Sequence, residues 1–92
     1  MADDDQRLRR LRMRSWRRGM KEMDLILGSF ADGPLAGLSE PMLAQYELLM
    51  AENDQDLYRW ISARIAGRED GPAELASLLD VIAGHAGARL RG

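Results

Sequence analysis

A chain of 92 residues with no cysteine, one histidine and a 46% apolar fraction has room for one modest core. It excludes a disulfide framework, a thiolate nucleophile and a zinc–thiolate site. The net charge of −2 hides a split: residues 1–21 carry eight basic and three acidic side chains, residues 22–92 five and twelve. A basic end on an acidic body suits an anionic partner or ligand, the plainer reading being a solvated, arginine-rich first helix.

Taken in chain order, Asp3-Asp4-Asp5 stands where a secretory signal would be basic and a mitochondrial presequence would avoid acids. No apolar run approaches the ~20 residues that span a bilayer. A bacterial cytoplasmic protein is expected. Leu8 and Leu11, one turn apart, predict a short first helix over 3–14 with a narrow apolar seam; acids at its start and arginines farther on suit the helix dipole.

A second helix is expected over 18–31. On a helical wheel Trp16, Met20, Met23, Ile26, Leu27 and Phe30 share the inward side. Arg14, Arg18 and Glu22, spaced i, i+4, i+8, form an outward row. Gly19 lies at the border, where a mid-helix glycine costs about 1 kcal/mol relative to alanine. It implies either a junction needing a permissive backbone or a surface approaching too closely for a Cβ.

Asp32-Gly33-Pro34 ends that helix. Ser39 is a good N-cap for a third helix over 40–51, with Pro41 in its first turn and Leu38 and Leu43 placed as a hydrophobic staple. Asn53 or Asp54 caps a fourth over 54–66, with Leu57, Trp60, Ile61 and Ile65 inward, and Gly67 stops it. Pro72 is placed to open a fifth, striped by Leu75, Leu78, Leu79 and Ile82 and weakened by Gly84 and Gly87. The fold class is all-α: a compact bundle of five short helices forming one domain over 1–92, with 1–6 and 86–92 as loose tails.

Candidate chemistry is sparse. His85 has no second histidine or cysteine to build a metal site or triad with, and is expected at the surface or a helix end. Gly84 and Gly87 follow no strand, so they form no phosphate loop. Asp54/Asp56 and Glu69/Asp70 sit at helix boundaries, where capping is the default role. Met13, Met20, Met23, Met42 and Met50 suit adaptable core filling, and Tyr58 and Trp60 suit packing. What is left is an exposed patch of Arg14, Arg18, Gly19 and Glu22, suited to recognising a protein: guanidinium groups pair with carboxylates and glycine permits close approach. Nucleic-acid binding or a regulatory interaction through the basic end is the alternative. A helix-turn-helix, however, needs a second basic helix, and helices three to five are acidic.

Trp16-Arg17-Arg18-Gly19-Met20-Lys21-Glu22-Met23-Asp24, followed by Leu27 and Phe30, resembles the signature of the flavinylation assembly factors of succinate dehydrogenase, with their Arg-Gly-x-x-Glu motif. Tyr46-Glu47-Leu48-Leu49 and Asp54-x-Asp56-Leu57-Tyr58-x-Trp60 extend the resemblance, which runs from about Arg12 to Ile65. The resemblance implies a five-helix chaperone and not an enzyme. It would bind the flavoprotein subunit of succinate dehydrogenase, and in bacteria that of fumarate reductase, and promote covalent attachment of FAD to a histidine there. By motif position, Arg14, Arg18, Gly19, Glu22 and Asp24 would form the partner-binding surface. The factor would hold no cofactor stably, since FAD is attached to the partner, and would bind no metal or nucleic acid. It would not insert into membranes and would be a monomer when free. This picture needs Arg18 and Glu22 reachable from outside.

Overall fold

The computed structural model describes the backbone of residues 2–91 and the side chains of residues 5–88. Five α-helices run as α1 (Ala2–Ser15), α2 (Lys21–Asp32), α3 (Glu40–Leu49), α4 (Asp54–Ile65) and α5 (Ala76–Arg91), with no strand among the described residues. Local chemistry explains most boundaries. Ser39 accepts from the Met42 N–H to start α3, and Asn53 accepts from Gln55 and Asp56 N–H groups to start α4. Gly67, at φ +86°, ends α4 as the Arg68 N–H bonds back to the Ala63 carbonyl and the Gly67 N–H to that of Arg64. These two bonds make a Schellman close.

Two boundaries differ from the sequence expectation. The segment after Pro72 is a tight 3-10 turn, Ala73–Leu75, and α5 begins only at Ala76. Gly71, at φ +102°, presses this turn onto the core so closely that a Cβ there would come within 2.8 Å of Leu79 and 3.1 Å of Trp60. The second helix begins at Lys21 and not at 18, because the backbone reverses through Gly19, at φ +97°. Of the stretches 1–6 and 86–92, expected as loose tails, the backbone of 2–6 lies in α1 and that of 86–91 in α5, while residues 1 and 92 lie outside the described residues.

Helix α1 packs on α2, α2 on α4 and α5, and α4 on α5, with α3 closing against α5. The Cα radius of gyration, 12.3 Å, is about what a compact chain of this length gives. Met23, Leu27, Phe30, Tyr46, Leu49, Leu57, Ile61, Leu78, Leu79 and Ile82 are fully buried. Phe30 stacks on Tyr46 with centroids 5.8 Å apart and meets His85 edge-on at 5.9 Å. His85, expected at the surface or a helix end, is therefore half-buried within α5 against α2, its Nε2 3.1 Å from Ser29 Oγ. Met13, expected as core filling, is 49% exposed, and Tyr58 is exposed where Trp60 is buried, because residues two apart face different sides of a helix.

α1 is tied on by polar bonds as well as by Leu8 and Leu11. Arg7 spans from α1 to two carboxylates of α3, Glu40 and Glu47, each at 2.5 Å. At the far end Ser15, fully buried, lies 2.7 Å from the Leu11 carbonyl and shares a hydrogen bond of 2.6 Å with the Tyr46 hydroxyl. Burial of the Tyr46 ring pushes its pKa up to about 12, with the Ser15 bond and the Arg18 charge pulling weakly the other way.

Candidate functional site: a clamped glycine loop

Residues 16–20 link α1 to α2, and the outward row of Arg14, Arg18 and Glu22 does not exist as such. The three belong to the end of α1, to the loop and to the first turn of α2. The helical wheel misled because Trp16, one residue past α1, reaches α2 from outside and covers the face on which a continuous helix would have placed it. Its indole lies on Gly28, where a Cβ would fall 2.2 Å from the ring, and its Nε1 donates to Asp32 at 3.1 Å. Of the two reasons for Gly19, the permissive backbone applies: its φ is +97°, and nothing lies within 4 Å of where a Cβ would sit.

Two of the five candidate residues build this loop from within. The Arg18 side chain, 11% exposed, crosses to the α3–α4 turn. There its Nε donates to Asp54 Oδ1 at 2.6 Å, one terminal nitrogen to the Met50 carbonyl at 2.6 Å and the other to the Glu52 carbonyl at 2.7 Å. Asp24, from α2, turns back so that one carboxylate oxygen accepts the backbone N–H groups of Arg18 at 2.6 Å and Gly19 at 3.3 Å. Arg18 is thus satisfied by internal partners, contrary to the expectation of a free outward guanidinium.

The other three remain open. Gly19 is bare to solvent, and the side chains of Arg14 and Glu22 are exposed with no partner among the described residues. A shallow hollow beside Gly19 is lined by Arg18, Met20, Asn53, Asp54 and Gln55. Sequence reasoning missed Asp54, whose partner lies 36 residues away. One signal was present: with Asn53 as the cap, Asp54 is left without a capping duty at the helix start, where a carboxylate is also favoured by the dipole.

Fold and loop together define a class: a small helical protein presenting a preshaped, glycine-centred surface, with no group of metal-ligating side chains among the described residues. Comparison with known proteins narrows it. Residues 9–86 match the family model described as the flavinator of succinate dehydrogenase, and the chain belongs to that family. It is 42% identical over 65 residues to "Succinate dehydrogenase assembly factor 2, mitochondrial" of Aspergillus terreus, covering 71% of this chain and 22% of that protein. The protein of the same name in Dictyostelium discoideum is 37% identical over 71 residues, 77% of this chain and 50% of that one. "FAD assembly factor SdhE" of Photobacterium profundum is 33% identical over 75 residues, 82% of each chain. The chain thus spans half or less of those two mitochondrial relatives and most of the bacterial one. No solved structure gives a significant match.

Proposed function

We propose that this chain is an assembly factor that binds the flavoprotein subunit of succinate dehydrogenase, and in bacteria that of fumarate reductase, and promotes covalent attachment of FAD to a histidine of that subunit. Family membership supports the partner class, and the clamped loop is the observation that carries the docking surface. Gly19 offers bare backbone, Glu22 and Arg14 flank it as free charges, and Arg18 and Asp24 serve the surface by holding its shape. The factor works by orienting: docked beside the flavin site, it holds the partner's domains so that histidine and flavin meet productively, a large lever on rate. FAD is cargo carried by the partner, and the factor acts as a monomer in the cytoplasm of a bacterium; its likeness to bacterial relatives supports the bacterial setting.

The test is co-expression of the flavoprotein subunit with this chain or with Gly19→Arg, scored by acid-stable flavin fluorescence and by complex formation. Wild type should raise covalent flavin several-fold over the subunit alone, and Gly19→Arg should not. Equal labelling with the two would defeat the proposed surface; no labelling above background with wild type would defeat the function.

A further inference from the structure

The arginines of this protein divide sharply. Arg7, Arg18, Arg59 and Arg64 each hold carboxylates or carbonyls, and Arg12 approaches Asp32 at 4.0 Å. Arg9, Arg10, Arg14, Arg17 and Arg68 have no side-chain partner among the described residues, and three of these, Arg10, Arg14 and Arg17, line one hollow with Arg18 and the exposed Met13 where α1 runs into the glycine loop. Arg10 and Arg14 are i, i+4 neighbours on α1, a like-charge pair that destabilises a helix by a few tenths of a kcal/mol, and Arg17 follows two residues past the end of that helix. The body of the chain has acids to spare, and none of the described ones reaches these three. Arg18 lines both this hollow and the one beside Gly19, so the two form a continuous surface.

We propose that the hollow formed by Arg10 and Arg14 of α1 with Arg17 of the following loop is a second contact surface that seats an acidic segment of the partner flavoprotein, extending the Gly19 contact; the inference rests on the function proposed above. Planar guanidinium groups bind carboxylates bidentately, and the Met13 side chain gives the hollow an adaptable apolar lining that suits an apolar side chain between the acids. A protein partner is favoured over nucleic acid because the basic stripe is narrow and the remainder of the chain is acidic: residues 22–92 carry five basic and twelve acidic side chains. A long polyanion following its own backbone would be repelled beyond α1. A contact of this kind speeds docking and is screened by salt.

The experiment measures affinity of the full chain for the isolated flavoprotein subunit of succinate dehydrogenase at low and high salt. It compares wild type, Arg10→Glu/Arg17→Glu, Gly19→Arg, and an Arg59→Glu/Arg68→Glu control with the same charge change on another face; circular dichroism checks folding. The α1 double variant should bind about ten-fold more weakly at low salt, with a flattened salt dependence, and the control should stay within about two-fold. Unchanged binding by the α1 variant while Gly19→Arg binds no subunit overturns this inference and leaves the proposed function standing. Failure of wild type to bind overturns both. Tighter binding by wild type to a 20-nucleotide RNA than to the subunit, lost in the α1 variant, overturns the inference in favour of nucleic acid.

Discussion

Truncating Arg18 to alanine removes every bond between the glycine loop and the α3–α4 turn that its guanidinium makes. The Asp54 carboxylate, 19% exposed, is left beside two carbonyls that have lost their donors. Breaking a buried pair by deleting one member costs about 3–5 kcal/mol. Asp54 retains some access to water, which places this case at the lower end, about 3 kcal/mol. For a domain this small each kcal/mol moves Tm by about 4–8 °C, so the expected drop is about 12–24 °C. Urea unfolding followed by circular dichroism measures it directly. Arg14→Ala, which removes the same side chain from an exposed position without a described partner, should stay within about 0.5 kcal/mol of wild type. An Arg18→Ala protein as stable as Arg14→Ala would refute the clamp and return Arg18 to the role of a partner contact.

Gly28→Ala should destabilise by about 1–3 kcal/mol, since the new methyl evicts the Trp16 indole; a red shift and gain in accessibility of tryptophan fluorescence, absent in the matched Trp16→Phe/Gly28→Ala protein, would report it. Gly19→Ala should cost about 1–2 kcal/mol through its left-handed backbone alone, because the space around it is open; thermal unfolding checks it, and no loss would contradict the φ of +97°. Tyr46, pushed up to about 12 by burial, keeps its proton in the fold after the unfolded chain has lost it near pH 10. The stabilisation it gives is therefore complete below pH 10 and lost as pH rises through 12, about 2–3 kcal/mol in all. Denaturant titrations from pH 9 to 12 should show that slope in wild type and a shallower one in Tyr46→Phe.

The helices were legible because their signals are local. Ser39, Asn53 and Gly67 act on backbone groups within a few residues, and the apolar stripes need only the 3.6-residue period. The break before Lys21 was hidden because periodicity continues through it: Trp16 packs on the very helix it appears to belong to, through an interaction with Gly28 that no wheel displays. Gly19 did mark the place, and the choice between its two explanations required the φ angle. The partners of Arg18, Ser15 and Tyr46 lie 31 to 36 residues apart, so no spacing rule could pair them. With thirteen basic and fifteen acidic side chains in the chain, charge alone assigns no particular pair.

An inward-facing arginine at the centre of the proposed docking surface fits what docking requires. A free glycine loop would lose about 1–2 kcal/mol of backbone entropy for each residue ordered on binding, so fixing residues 17–20 in advance spares the complex roughly 4–8 kcal/mol. Asp24 and Arg18 do this from opposite sides, one gripping the loop's backbone N–H groups and the other anchoring it to a turn two helices away. On the proposed function a division of labour follows: Arg18 and Asp24 would change affinity by changing the loop, and Gly19, Glu22 and Arg14 by touching the partner. Binding by Arg18→Ala should therefore weaken in step with loop mobility measured by NMR relaxation, whereas Glu22→Gln should weaken binding with the loop as rigid as before.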